Sequence, residues 1–198
     1  MNIYLICNNL LSKNTSFDKN MDIEKKKMLR SLSIKGVELS KKIDIETTAV
    51  YSSTYISTIE TAKYISEKND IDIILNESLN DCVIGDLKNK TLKTLSYFQE
   101  KDFDYKLESG ESLNECSSRI EYVIDNIREN EENAVVFLPR RALFSYISKF
   151  CEKDYNLDER IVLAYKEKIM LDENEDDIEI FKLTFEEEEV IIEKVELN

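Results

Sequence analysis

The strongest nucleophiles in this 198-residue chain are four cysteines, Cys7, Cys82, Cys116 and Cys151. A thiolate attacks phosphoryl and acyl centres and binds soft metals. Spacings of 75, 34 and 35 residues contain no CxxC pair, so neither a zinc knuckle nor a thioredoxin-like redox pair is expected, and no metal site. Cysteine phosphatases place an arginine six residues after the nucleophile, across a loop of backbone amides. Here Lys13 stands six residues after Cys7 and no glycine lies between, so Cys7 is expected as a small buried residue at a strand end. There is no histidine in the chain, which removes imidazole as nucleophile, base or metal ligand.

The other chemistry-bearing groups are Asp81, the pair Arg140–Arg141, Glu111 beside Ser112, and the acidic run Asp172 to Asp177. An EF-hand loop starting at Asp172 requires glycine at 177 and glutamate at 183. Asp177 and Leu183 stand there instead, so the run reads as a solvated loop. Asp81 without a nucleophile reads as a solvated loop carboxylate. Glu111 and Ser112 read as a turn and helix cap, and Lys25 to Lys27 as one helix face beside Glu24.

These residues are carried by strands alternating with helices. Ile3 to Ile6 form a short apolar run suited to a buried parallel strand, followed by a polar loop from Asn8 to Asn20. Asp22 to Lys42 reads as helical, with Ser31 and Ser33 as candidate caps and Gly36 weakening the middle. Thr47 to Ser53 is a second strand. Thr54 is the expected cap of a helix in which Ile56, Ile59, Ala62 and Ile65 recur every third residue. Ile71 to Leu75 is a third strand, Thr91 to Phe98 a short helix, and Ser112 the cap of a long one. Ala134 to Leu138 is a fourth strand, closed by Pro139. Helices are expected over Arg141 to Cys151 and around Asp158 to Lys168. A β-hairpin follows, running from Ile178 to Phe185, through an acidic turn at Glu186 to Glu189, and back from Val190 to Leu197. The expected architecture is a single α/β domain over residues 1–198, three-layered, with a mostly parallel central sheet and helices on both faces.

With 27 basic against 41 acidic residues the formal charge is −14, which repels a phosphate backbone and an anionic membrane surface alike. No apolar run approaches the roughly 18 residues a membrane span needs. The start, MNIYLICNNLL, has neither a basic n-region nor a small-residue cleavage site. A reducing cytoplasm with free thiols is the expected compartment, with no cofactor, no nucleic acid and no membrane as partners.

The order of local motifs resembles the histidine phosphatase superfamily, the phosphoglycerate-mutase-like proteins. LICNN at Leu5 to Asn9 stands for that family's Leu-Ile-Arg-His-Gly strand end, and LSIKG at Leu32 to Gly36 for its Leu-Thr-x-x-Gly helix start. YSSTYISTIETA, Tyr51 to Ala62, matches its Tyr-Ser-Ser strand and following helix. LNDCVIGDLKNKT, Leu79 to Thr91, matches the segment that carries its acid. Gly110, Glu111 and Ser112 reproduce its Gly-Glu-Ser turn, and VVFLPR, Val135 to Arg140, stands where its Val-Val-Ser-His-Gly-Gly strand ends.

The resemblance implies a phosphohistidine mechanism with a nucleophilic histidine, two arginines and a second histidine around the phosphoryl oxygens, and a carboxylic acid for the leaving group. Carried over by motif, the nucleophile position is Asn8, the first arginine position Cys7, the second Ser57, and the second histidine position Leu138. Only the acid position keeps a carboxyl group, Asp81. An amide nitrogen whose lone pair is delocalised is no nucleophile. Replacing three charge-assisted contacts removes about 4–9 kcal/mol of phosphoryl affinity. The implied protein is a pseudoenzyme, a monomer or homodimer that binds a protein partner or small ligand. The alternative is a divergent phosphatase or mutase acting on phosphate monoesters by a non-histidine route. Arg140 and Arg141 are the candidates for residual anion contacts, but the negative field of the chain argues against specific phosphate binding.

Overall fold

A computed structural model describes residues 1–13, 16–130, 133–157, 160–172, 177–186 and 189–197. Strand β1 (Asn2–Asn8) is followed by helices α1 (Ile23–Met28) and α2 (Ile34–Ser40). Strand β2 (Ala49–Ser52) leads through α3 (Ile56–Asn69) to β3 (Ile73–Leu75). A 3-10 turn (Glu77–Leu79) and α4 (Leu92–Lys101) precede α5 (Leu113–Glu129), β4 (Ala134–Phe137) and α6 (Arg140–Ile147). Strands β5 (Glu152–Tyr155), β6 (Ile161–Tyr165), β7 (Lys168–Asp172), β8 (Ile178–Phe185) and β9 (Val190–Lys194) complete the chain.

The main sheet has the order β3-β2-β4-β1-β8-β9. Its first four strands are parallel, and β8 and β9 add antiparallel at one side. Strand alternation sorts the core into two layers. Ile3, Leu5, Val136, Phe181 and Leu183 pack with the apolar stripes of α5 and α6, while Ile6, Val135, Phe137 and Ile180 pack with α3 and Leu39 of α2. A fully buried Ile, Leu or Phe contributes about 1.5–3 kcal/mol, so these two layers hold the sheet and fix its register. The three-layer α/β architecture with a C-terminal hairpin is the one expected.

Several local readings change. The helical stretch after Asp22 is two helices, broken at Leu29 to Ser33, because the Ser33 hydroxyl caps α2 by accepting from Gly36 N–H at 3.1 Å. Leu32 also makes an antiparallel bridge with Leu11, inside the segment expected as loop. Thr54 is not the cap of α3. Tyr55 occupies that place, and Thr54 gives its N–H and hydroxyl to Asn80 Oδ1 at 2.8 and 2.9 Å. Helix α6 stops at Ile147, before Cys151.

The helix expected around Asp158 to Lys168 is instead β6 and its turn in a three-stranded antiparallel sheet, β5-β6-β7. Lys166 and Glu167 both take positive φ, 48° and 64°, the turn geometry that suits a two-residue hairpin but is normally signalled by Asn-Gly. Most of the acidic run, residues 173–176, and positions 187–188 of the β8–β9 turn lie outside the described residues. Among the described residues no helix is long and apolar enough to cross a membrane.

Candidate functional site

The parallel strands β1, β2 and β4 all end on one edge of the sheet, where α/β folds place ligands. A cavity of about 580 Å³ opens there, lined by Asn8 at the end of β1, Ser57 in the first turn of α3, Asp81, and Arg140 and Arg141 at the start of α6. Strand ends and helix starts thus gather Asn8, Ser57, Asp81, Arg140 and Arg141 in one place. Cys7 and Leu138 are not among them. Strand alternation turns both into the α5/α6 core, at 2% and 0% exposure.

Asn8 is held on three sides. Its Nδ2 donates to the Gly36 carbonyl at 3.0 Å and the Ser40 hydroxyl at 2.9 Å, and its Oδ1 accepts from Leu10 N–H at 3.1 Å. Gly36 is needed for this closeness, since a Cβ there would stand 2.6 Å from the Leu10 carbonyl oxygen. The amide therefore serves as a strut between β1 and α2. Burial pushes the Cys7 thiol up to about 12. Arg140 pulls the other way, and Asp81 and Glu179 add to the rise.

Asp81 is buried and engaged, contrary to the solvated carboxylate expected. One oxygen is ion-paired with Lys27 and the other accepts the Ala142 N–H at 3.1 Å, in the first turn of α6. Burial disfavours the charged form of Lys27, but the charge and hydrogen bond of Asp81 outweigh it and hold the ammonium pKa above its ordinary value. The backbone at Asp81 is fixed by Arg119. Its guanidinium donates to the carbonyls of Ser78, Asn80 and Asp81 at 2.8, 2.9 and 3.0 Å, and to both Glu111 oxygens at 2.7 and 2.8 Å. Glu111 is therefore the anchor of this arginine, and Ser112 closes a capping box with Glu115 at the start of α5.

Three further cations reach the cavity. Lys26 and Lys27 do not form a plain solvated helix face but line it, and Arg30, just past α1, joins them. The Nε of Arg30 is buried and meets no acceptor among the described residues. Arg140 lies 3.8 Å from the buried Glu179, and Arg141 lies 3.8 Å from the buried Glu100. Glu179 is shared with Lys194 at 3.0 Å and Glu100 with Arg160 at 2.9 Å. Five basic side chains thus line the cavity in a chain of charge −14. No motif in the sequence singles out Lys26, Lys27 or Arg30, because they come from α1 and its exit, far in the chain from α6.

A family model described as histidine phosphatase superfamily (branch 1) matches residues 38–183. The chain belongs to that superfamily, although the match does not extend to Asn8 or to the α1 cations. The fold is shared with α-ribazole phosphatase from Shigella flexneri, at 14% identity and TM-score 0.62 over 98% of this chain and 96% of that one. It is shared too with mycobacterial glucosyl-3-phosphoglycerate phosphatase in complex with inorganic phosphate, at 11% identity and TM-score 0.63 over 100% and 96%. Bacillus stearothermophilus YhfR gives 17% identity and TM-score 0.61 over 96% and 94%. No curated protein sequence matches the chain.

Proposed function

We propose that this protein is a histidine-phosphatase-fold pseudoenzyme that transfers no phosphoryl group and uses the cavity at the strand ends to bind a small anionic ligand. The loss of catalysis rests on the absence of any histidine and on Asn8, whose amide is spent on Gly36, Ser40 and Leu10. Asp81 accepts hydrogen bonds at both oxygens, which suits an acceptor that anchors Lys27 and α6 rather than an acid facing a leaving group.

The single observation that carries the binding role is the buried Arg30 Nε, an N–H donor that meets no acceptor among the described residues, in a cavity lined by four further cations and the Asp81 carboxylate. A buried donor left unsatisfied costs about 1–3 kcal/mol, which an anion in the cavity relieves. The negative field of the chain, the argument against anion binding, is reversed locally by this convergence.

Thermal unfolding with inorganic phosphate, at constant ionic strength, tests the reading. At a hundred times its dissociation constant an anion stabilises by about 2.7 kcal/mol, several degrees for a chain of this size. The rise is expected in the native sequence and absent in Arg30→Ala. If millimolar phosphate, sulfate and citrate all leave the melting temperature unchanged, the binding role fails.

A further inference from the structure

Behind the cavity, on the α5 side, lies a cluster that plays no part in anion binding. The ligand atoms of Cys82, Glu111 and Cys116 all lie within 4.8 Å of one another. The three residues come from different segments, so no sequence motif announces them. Cys116 sits on the buried face of α5, Glu111 precedes that helix, and Cys82 follows the loop that Arg119 grips. Val83 and Glu111 are tied reciprocally. Glu111 N–H donates to the Val83 carbonyl at 2.9 Å, and Val83 N–H donates to Glu111 Oε2 at 3.2 Å. The backbone that carries Cys82 is thereby locked beside the carboxylate.

We infer that Cys82, Cys116 and Glu111 form a binding site for one thiophilic divalent cation of the zinc class. Five observations meet in it. Two thiols and a carboxylate make a donor set that such an ion takes in tetrahedral geometry, with the fourth position left open. At metal–sulfur and metal–oxygen lengths near 2.3 and 2.1 Å the donors sit roughly 3.5–3.8 Å apart, so the cluster needs only a contraction of about 1 Å or less.

The supporting shell is already in place. Arg119 fixes both Glu111 oxygens and lies 3.3 Å from Cys116 Sγ, where it donates to a thiolate. The charge also balances. Glu111 and Arg119 are neutral as a pair, and a divalent ion entering as both thiols release their protons to solvent leaves the buried cluster neutral again. Finally there is an entry path, because Cys82 is 7% exposed and lines the cavity while Cys116 is fully buried behind it. The step is ligand exchange alone. Two S–H bonds break and their protons pass to solvent, two metal–sulfur bonds and one bond to a Glu111 oxygen form as water leaves the hydrated ion, and nothing is oxidised. Magnesium and calcium, which demand oxygen ligands, do not fit this donor set.

The test is titration of the reduced full-length chain with cadmium, followed by thiolate-to-metal charge-transfer absorption. The expected result is one tightly bound ion per chain, with the band reduced or lost in Cys82→Ser and in Cys116→Ser. Cys151→Ser should leave it unchanged, and Glu111→Gln should weaken binding, because a neutral amide oxygen is a poorer donor than a carboxylate. Circular dichroism checks that the variants fold. Where a cysteine variant does not, cadmium NMR of the native sequence decides, since a two-sulfur, oxygen-containing set resonates between all-oxygen and all-sulfur sites. No band at one equivalent, a band that survives both cysteine substitutions, or a resonance in the all-oxygen range overturns the site. Phosphate binding at Arg30 is read separately, so the failure of one reading leaves the other standing.

Discussion

The side chain of Asn8 donates to the carbonyl of Gly36 at 3.0 Å, and that bond joins the end of β1 to the first turn of α2. On the pseudoenzyme reading proposed above, the position that the motif resemblance gives to a nucleophile serves as a structural tie. Gly36→Ala removes the space the tie needs. In an open helix this change adds about 0.5–1 kcal/mol of stability. Here the new Cβ meets the Leu10 carbonyl at 2.6 Å, backbone that must shift, so a net loss of about 1–3 kcal/mol is expected by denaturant unfolding.

Asn8→Ala leaves the Ser40 hydroxyl and the Leu10 N–H without their Asn8 partner and is expected to cost about 1–3 kcal/mol. Asn8→His supplies an imidazole but none of the arginine and second-histidine contacts that the family motif places at positions 7, 57 and 138, where Cys7 and Leu138 face the core. Incubation with a labelled phosphodonor should give no acid-labile, base-stable adduct on that variant.

Asp81 and Lys27 form a partly buried pair, and substituting either leaves a charge behind. Asp81→Asn and Lys27→Met are each expected to destabilise by about 1–3 kcal/mol, with the double variant losing less than the sum of the two. The Lys27 pKa is raised in the folded protein, so the stability from this pair is fully present below about pH 10.4 and lost as pH rises through the folded value. Alkaline titration of stability should show a smaller loss in Lys27→Met than in the native sequence.

The Cys7 thiol is pushed up by burial from an ordinary value of 9.0 to about 12. Its thiolate fraction at neutral pH is therefore lower by about three decades, and alkylation by iodoacetamide should be slower than that of a free thiol by at least that factor. Because the folded protein holds this proton more tightly, the stability it contributes is present below about pH 9 and declines towards pH 12. Cys7→Ala should flatten that part of the alkaline limb.

The sheet, its order of elements and the capped α5 were legible in the sequence because apolar periodicity and the Ser112–Glu115 box are local signals. The β5-β6-β7 sheet was not, since Lys166–Glu167 carries none of the usual hairpin chemistry and Ile161 to Leu163 reads equally as helix or strand. At the site, motif order located Asn8, Ser57, Asp81 and Arg140. It could not reveal that Asp81 is paired, that Leu138 turns inward, or that Lys26 and Arg30 converge on the cavity from α1. Those are consequences of strand alternation and of contacts between segments distant in the chain, and the Cys82–Glu111–Cys116 cluster escaped for the same reason.

Binding without turnover is the central claim, and phosphorus NMR of one sample tests both halves. A phosphate monoester mixed with the protein should show a resonance that shifts or broadens with protein concentration, an effect lost in Arg30→Ala, while no inorganic phosphate accumulates beyond the buffer control. Inorganic phosphate growing in proportion to protein, or an ester resonance indifferent to the protein, would contradict it.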